Sequence, residues 1–221
     1  MDLINNKDDQ KKVLTQLRIV ANFFNDNFIG KKVKFTYFKG KKNFQTVYVK
    51  FSPGNFQHLV GIEYDLGAAK FWYHVFKGNV SWKAVKLTSR LRTRPNIKKG
   101  DTRTNFEKKL NAMSSLPDIL SEKARILEEG TLNNVSFDHL IRTNRQTIGL
   151  ATASHGSEQE VFISTMDLTG LFGTGLRGFV IDEIASYNII DGSVHTSYFK
   201  RDISVEKVKS QIKKRKRTRN K

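Results

Sequence analysis

The sequence predicts an α+β fold, in which N-terminal helices and a hairpin pack with a C-terminal, mostly four-stranded antiparallel sheet. Two observations support this prediction. Helical spacing of apolar residues dominates the first part of the chain, whereas alternation and turn signals dominate the last third. Helices and strands that are segregated along the chain in this way are typical of the α+β class.

The first helix is predicted from apolar residues three or four positions apart, which share one stripe of a helix. These residues are Val13, Leu17, Val20, Phe24 and Phe28. Gly30 is expected to end this helix. Alternating apolar residues over 33–37 and 47–51, separated by the polar turn 39–43, then predict a β-hairpin.

Further helices are predicted in the middle of the chain, and further strands near its end. The expected helices cover residues 56–60, 68–76, 106–113 and 117–130. Pro117 is expected to start the last of these, because proline is tolerated at the first position of a helix. Phe137, Leu140 and Ile141 also have helical spacing. The expected antiparallel strands cover residues 147–150, 161–163, 179–185 and 194–199.

Size and composition predict one cytoplasmic domain. The chain has 221 residues, of which 38% are hydrophobic, and it has no cysteine. It has no apolar run long enough for a membrane span, and the N-terminus lacks the apolar centre of a signal peptide. We therefore expect a single domain over 1–206 with a basic loop at 88–104, a basic, disordered tail at 207–221, and no membrane partner.

Two basic stretches predict a nucleic-acid partner. The net charge is +18, and the tail contributes nine positive charges and no acid. Clustered Lys and Arg side chains bind phosphate backbones through counterion release, although a solvated loop or tail is the alternative for each stretch. The predicted nucleic-acid-binding residues are Lys86, Arg90, Arg92, Arg94, Lys98, Lys99, Arg103, Lys213, Lys214, Arg215, Lys216 and Arg217.

Several catalytic motifs are set aside. Residues 173–178 match GxGxxG, but they precede a predicted strand and do not open a helix, so they are interpreted as a glycine-rich turn. Asp182 and Glu183 are adjacent in a predicted strand and face opposite sides, which does not favour a shared cation. No GxSxG nucleophile motif occurs. We therefore expect no metal and no cofactor.

His58 is the first candidate catalytic residue. It follows a strand break at Pro53-Gly54 and lies three residues after Asn55, a good N-cap residue. A helix N-terminus disfavours the charged imidazolium, so a histidine there is expected to stay neutral, as a general base must. The alternative is a capping or packing histidine, which these residues alone favour.

A second candidate group consists of Arg142, Thr143 and Arg145, which precede the strand predicted at 147–150. Two guanidinium groups and a hydroxyl can bind a phosphate and stabilise its developing charge. A polar loop with solvated arginines is an equally good interpretation of the same residues.

The segment Asn55-Phe56-Gln57-His58-Leu59-Val60-Gly61-Ile62 resembles the hallmark of phage-associated nucleases of the barnase, EndoU, colicin and RelE-like superfamily, which share the BECR fold. The segment from Ser136 to Leu150, the first helix and the hairpin are also similar to that group. The resemblance implies a BECR-like fold, metal-independent RNA cleavage, and carriage by phages or other mobile elements. It also implies catalytic roles for His58, Arg142 and Arg145, and a weaker one for Thr143.

Three functions stay open at this point. In the first, a ribonuclease activates the 2′-OH of RNA with His58, and the two arginines offset charge on the phosphate. In the second, a non-catalytic counter-defence protein, similar to an anti-CRISPR inhibitor, binds RNA or a ribonucleoprotein such as a guide-RNA-loaded effector. In the third, the chain is an accessory module of a phage virion or of DNA packaging. Toxin and counter-defence roles both fit, with or without a protein partner.

Overall fold

The computed structural model describes residues 6–40, 43–87, 105–154, 156, 159–171 and 176–199. Within these ranges the helices are α1 (Lys7–Phe28), α2 (Phe56–Val60), α3 (Ala68–Lys77) and α4 (Asn105–Ala112). The strands are β1 (Lys31–Phe38), β2 (Phe44–Lys50), β3 (Ile62–Tyr64), β4 (Val85–Leu87), β5 (Ala124–Leu127), β6 (Gly130–Leu132), β7 (Val135–Phe137), β8 (His139–Thr143), β9 (Ile148–Ser154), β10 (Gln159–Asp167), β11 (Phe179–Asn188) and β12 (Val194–Phe199).

Eight strands form one mixed sheet in the order β1, β2, β10, β9, β8, β5, β11 and β12. Because β1 also pairs with β11, seven of these strands close into a barrel, and β12 extends from β11 as an added edge. Neighbouring strands are antiparallel, except that β2 and β10 run parallel over Gln159–Val161. Two small pairs, β3 with β4 and β6 with β7, complete the strands of the described ranges.

The helices cover the end of the barrel at which β1 begins. The apolar stripe of α1 is buried as predicted, and Phe24 stacks on Phe51 with ring centroids 4.6 Å apart. Phe28 meets Phe162 of β10 edge-on, at 5.0 Å between centroids. Burial of large aromatic side chains contributes strongly to such a core. The opposite end of the barrel, where β1 and β5 end and β8 and β10 begin, carries polar side chains.

A second, smaller apolar cluster lies on the outer face of β8, β9 and β10. Leu140 and Ala151 belong to this outer cluster, whereas Ile141 and Leu150 belong to the main core. Successive side chains of a strand point to opposite faces, so Arg142 faces the same side as Leu140 and away from the main core. The sheet therefore separates Arg142 from the helices.

The α+β class is confirmed, but the expected four-stranded antiparallel sheet is wrong. The four predicted strands are present as β9 to β12, but the hairpin, β5 and β8 join them in one sheet. Both outer edges of the hairpin are paired, β1 with β11 and β2 with β10. Closing a sheet in this way removes the exposed strand edges that an open sheet would leave.

The helix predicted over 117–130 is also wrong. Residues 113–120 form 3-10 turns, and Ala124–Leu127 form β5. In β5, Ala124 and Ile126 are buried and alternate with Arg125 and Leu127, which is the two-residue period of a strand. The helical spacing around Phe137 is likewise overridden, because that segment forms β7 and β8.

Candidate active site at the polar end of the barrel

His139 and Glu160 form a hydrogen-bonded pair at the polar end of the barrel. The Nδ1 atom of His139 lies 2.7 Å from Oε1 of Glu160. Thr152, on the intervening strand β9, donates its hydroxyl to the other carboxylate oxygen of Glu160. The side chains of His139 and Glu160 are 19% and 11% exposed. The pair is therefore held by three neighbouring strands but is reachable from solvent.

Three further side chains extend this pair into a chain of polar contacts. The hydroxyl of Tyr37 lies 3.4 Å from Nε2 of His139 and donates to Oε1 of Glu128 at 3.2 Å. The ammonium of Lys39 donates to Oε2 of Glu128 at 2.7 Å. Tyr37 is fully buried and packs on Phe179, whereas Lys39 is half exposed. The cluster thus runs from the barrel interior to its rim.

The charges of this cluster are set by its own members. Burial, followed by the nearby carboxylates of Glu128 and Glu160, raises the pKa of Tyr37 well above its usual value. The hydrogen bond from Lys39 is the largest influence on Glu128 and lowers its pKa. At neutral pH the phenol is therefore a hydrogen-bond donor, and Glu128 is an ionised acceptor.

This geometry is suited to proton transfer. A carboxylate that accepts a hydrogen bond at Nδ1 of a neutral imidazole fixes the tautomer in which Nδ1 carries the proton. Nε2 of His139 then carries the lone pair and can take a proton from a reacting group. Glu160 would stabilise the imidazolium that results, which is the arrangement of base and orienting carboxylate found in catalytic triads.

His58 lies elsewhere, in the helical layer. It is exposed, and its backbone carbonyl accepts a hydrogen bond of 2.7 Å from the buried Lys109. Helix α2 covers the predicted residues 56–60 and follows Asn55, but it has only five residues, so His58 also lies in its last turn. The expected side-chain cap is wrong, because the amide of Asn55 donates to the carbonyl of Phe162 and not to α2. The catalytic role of His58 stays a prediction.

The second predicted group lies at the opposite end of β8 from His139. Arg142 is 5% exposed and faces the outer side of the barrel, whereas His58 lies in a helix that packs on the main core. Thr143 is buried and bonds to the backbone N–H and hydroxyl of Thr147, which fastens the β8–β9 turn. Arg145 is exposed on that turn. The structure does not bring His58 and Arg142 together, and the catalytic roles of Arg142, Thr143 and Arg145 stay predictions.

Most of the predicted basic stretches fall outside the described residues. This applies to Arg90, Arg92, Arg94, Lys98, Lys99, Arg103, Lys213, Lys214, Arg215, Lys216 and Arg217. Lys86 is the exposed residue of β4 and forms an ion pair of 2.7 Å with Asp65. The hydrogen bond that Lys86 donates to Asp65 in this pair raises the pKa of Lys86.

The described part of the chain has neither a cluster of metal ligands nor a membrane-spanning helix. There, no three His, Asp or Glu side chains converge in the way that metal ligands do. Among the helices of the same ranges, none has both the length and the apolar character of a bilayer span.

Comparison with known families identifies the chain. A family model described as PBECR4, phage-Barnase-EndoU-ColicinE5/D-RelE like nuclease4, matches residues 16–217. The chain belongs to the PBECR4 nuclease family. This match confirms the resemblance and implies a nucleic-acid substrate. No curated protein and no solved structure matches the chain.

Sequence patterns alone miss all five residues of the polar cluster in this PBECR4 protein. His139 belongs to the segment that resembles the family, but the apolar spacing of that segment predicts a helix. The sequence therefore gives no reason to place His139 in the same sheet as β10. Tyr37 is predicted only as an apolar strand position. One signal in the sequence that could have indicated this cluster is Glu160, an acidic residue next to the apolar run of β10. Glu160 is buried, and a buried carboxylate needs a polar partner.

Proposed function

We propose that the chain is an endoribonuclease of a phage or other mobile element, which cleaves RNA without a metal ion at the polar end of the barrel. The observation that supports the proposal best is the histidine–carboxylate pair, with Nδ1 of His139 at 2.7 Å from Glu160. The family supplies the nucleic-acid substrate. The choice of RNA follows from the chemistry, because RNA carries its own nucleophile, the 2′-OH.

In the proposed reaction, Nε2 of His139 takes the proton of a ribose 2′-OH. The 2′ oxygen then forms a bond to the adjacent phosphorus, and the bond from phosphorus to the 5′ oxygen of the next nucleotide breaks. The imidazolium returns its proton to that leaving oxygen. The products are a 2′,3′-cyclic phosphate and a 5′-hydroxyl. A positioned acid–base residue contributes roughly 10²–10⁴-fold to such a step.

Tyr37 and Lys39 would stabilise charge that develops on the phosphate. The phenol stays protonated because its pKa is raised, so it can donate to a phosphate oxygen in place of Glu128. The Lys39 ammonium lies at the rim, 2.7 Å from Glu128, and would bind the phosphate electrostatically. Neither group needs to gain or lose a proton in this role.

The proposal is tested with purified full-length protein and two oligonucleotides of identical sequence, incubated in EDTA. One is RNA, and the other carries 2′-deoxyribose at every position. We expect cleavage of the RNA alone, with products that end in 2′,3′-cyclic phosphate. Cleavage of both oligonucleotides, or loss of cleavage in EDTA, would contradict the proposed reaction. Binding of RNA without any product would favour the non-catalytic counter-defence function.

The same assay decides the prediction for His58. Loss of cleavage in His58→Ala together with full activity in His139→Ala would move the reaction from the barrel to the helical layer.

A further inference from the structure

A pocket of about 480 Å³ opens on the outer face of the barrel, apart from the His139 cluster. Among the described residues, its walls include three arginines and no acidic residue: Arg125, Arg142 and Arg177. The amide side chains of Asn144 and Gln146 complete the polar lining. Arg142 lies three residues beyond His139 on β8 and points to the other face, so the pocket is roughly 10 Å along the strand from the proposed reaction.

Arg125 and Arg142 have more N–H donors than they have hydrogen-bond partners among the described residues. Arg125 and Arg142 face each other as register partners on β5 and β8. Their observed hydrogen bonds end on backbone carbonyls: Arg125 donates to Glu122 and Ala124, and Arg142 donates to Thr143 and Leu176. The Nε of Arg142 is buried and has no partner among the described residues. A guanidinium has five N–H donors, so donors remain for a ligand.

The positive charges of Arg125 and Arg142 repel each other in this pocket. Burial, and then the charge of Arg125, lower the pKa of Arg142 from its ordinary value. Two neighbouring cations in a partly buried site repel each other, and an anion bound between them would offset that repulsion.

The wall of the pocket depends on a close backbone approach. Gly178 precedes β11, and a Cβ built there would lie 2.9 Å from Cδ1 of Leu127 and 3.0 Å from the carbonyl oxygen of Ile126. Glycine thus lets the segment from Leu176 to Gly178 lie directly on β5. This contact brings Arg177 to the arginine pair.

We propose that this outer pocket binds a phosphate group, and that the group is an internal phosphate of the RNA strand held by the same molecule. The inference rests on the proposed function for the identity of the strand. Planar guanidinium groups match phosphate geometry and bind it through paired hydrogen bonds. The same chemistry could accept a free phosphate ion, so the experiment distinguishes these two sources.

Binding is measured by fluorescence anisotropy of a single-stranded RNA over a series of salt concentrations. All proteins carry His139→Ala, and the RNA probe carries a 2′-O-methyl group at every position, so that attack by a 2′-OH cannot cleave it whichever residue is the base. Arg177→Ala and Arg125→Gln test the pocket, and Arg18→Ala, an exposed arginine on α1, is the charge-matched control. A second arm measures binding of inorganic phosphate by calorimetry. Thermal unfolding checks that each variant is folded.

The slope of log K against log salt concentration is negative, and we expect it to become less steep by about 0.7 for each phosphate that a pocket variant no longer binds, and to stay unchanged in Arg18→Ala. Arg177→Ala could leave RNA binding unchanged but abolish the binding of inorganic phosphate. That result would overturn the assignment to the RNA strand and would indicate a site for the free ion. Equal behaviour of pocket and control variants with both probes would overturn the proposal altogether.

Discussion

Glu160 of β10 reaches across β9 to His139 of β8, so that Nδ1 of the ring lies 2.7 Å from a carboxylate oxygen. The two residues are 21 positions apart and lie on strands that are not neighbours. Thr152, on the strand between them, bonds to the same carboxylate. Three strands therefore fix the orientation of one imidazole, which is the positional accuracy that acid–base chemistry requires.

Glu160→Gln should slow RNA cleavage while the fold is kept. The amide has the same size but no negative charge, so it neither stabilises the imidazolium nor enforces the tautomer. We expect a decrease in kcat from about tenfold up to the 10⁴-fold seen when a triad aspartate is replaced by its amide. Single-turnover kinetics measure the effect, with the exposed Glu63→Gln as control. Equal rates in the two variants would show that the carboxylate is structural only.

Tyr37→Phe should lower the rate without changing the packing of the ring. The phenylalanine keeps the contact with Phe179 and removes only the hydroxyl, which is the proposed donor to the phosphate. Loss of one such donor reduces kcat by roughly 10²-fold. Steady-state kinetics would show this as a change in kcat. Tyr73→Phe, at an exposed tyrosine of α3, is the matched control, and a similar rate in both would contradict the proposed role.

Much of the fold could be predicted, but the candidate site could not. The α1 stripe and the hairpin follow from local periodicity, and the structure confirms them. The closure of the barrel depends on the pairing of β1 with β11, about 150 residues later in the chain, which no local pattern reveals. Because His139 and Glu160 meet only through that sheet order, the partner of His139 could not be found from spacing alone.

The interpretation of His58 shows the same limit of local patterns. Phe56, Leu59 and Val60 form the apolar face that the sequence predicts. However, α2 has only five residues, so a position three residues after its expected cap is already in its last turn. The helix ends at Gly61, whose φ is 79°. The sequence therefore predicts the bounds of the helix, but not that the side chain of Asn55 bonds to Phe162 instead of capping it.

Lys109 should make the stability of the fold depend on pH in the alkaline range. Burial lowers the pKa of Lys109 from 10.5 to about 8. Below about pH 8 the folded state carries the cost of a buried ammonium, and this cost disappears as the pH rises towards 10.5, where the unfolded chain still binds the proton. The free energy of unfolding should therefore increase over this range, by about 3 kcal/mol at most.

Lys109→Met isolates this effect. The substitution should raise the free energy of unfolding at pH 7 by about 1–3 kcal/mol and flatten the pH dependence between about 8 and 10.5. Denaturant titrations at several pH values measure both changes. Lys70→Met, at an exposed lysine of α3, should leave the pH dependence as it is in the wild type. If the free energy of unfolding of Lys109→Met and of the wild type changed in parallel with pH, the Lys109 ammonium would not be the source of the pH dependence.

Gly149→Ala should destabilise the outer apolar cluster. A Cβ at this position would lie 2.9 Å from Cδ1 of Leu140 and 3.0 Å from Cδ1 of Leu168, both of which are buried. Overpacking of this kind costs about 1–3 kcal/mol. Gly170→Ala is the control, because no atom lies within 4 Å of its added Cβ. A thermal unfolding midpoint that falls equally in both variants would contradict close packing at Gly149.

If His139 is the general base of RNA cleavage, its removal should slow the reaction far more than removal of an exposed histidine elsewhere. Initial rates on RNA in EDTA are measured for the wild type, His139→Ala and His195→Ala, whose histidine is exposed on β12. We expect a decrease of about 10²–10⁴-fold for His139→Ala alone, with both variants folded. Wild-type rates in a folded His139→Ala would contradict it.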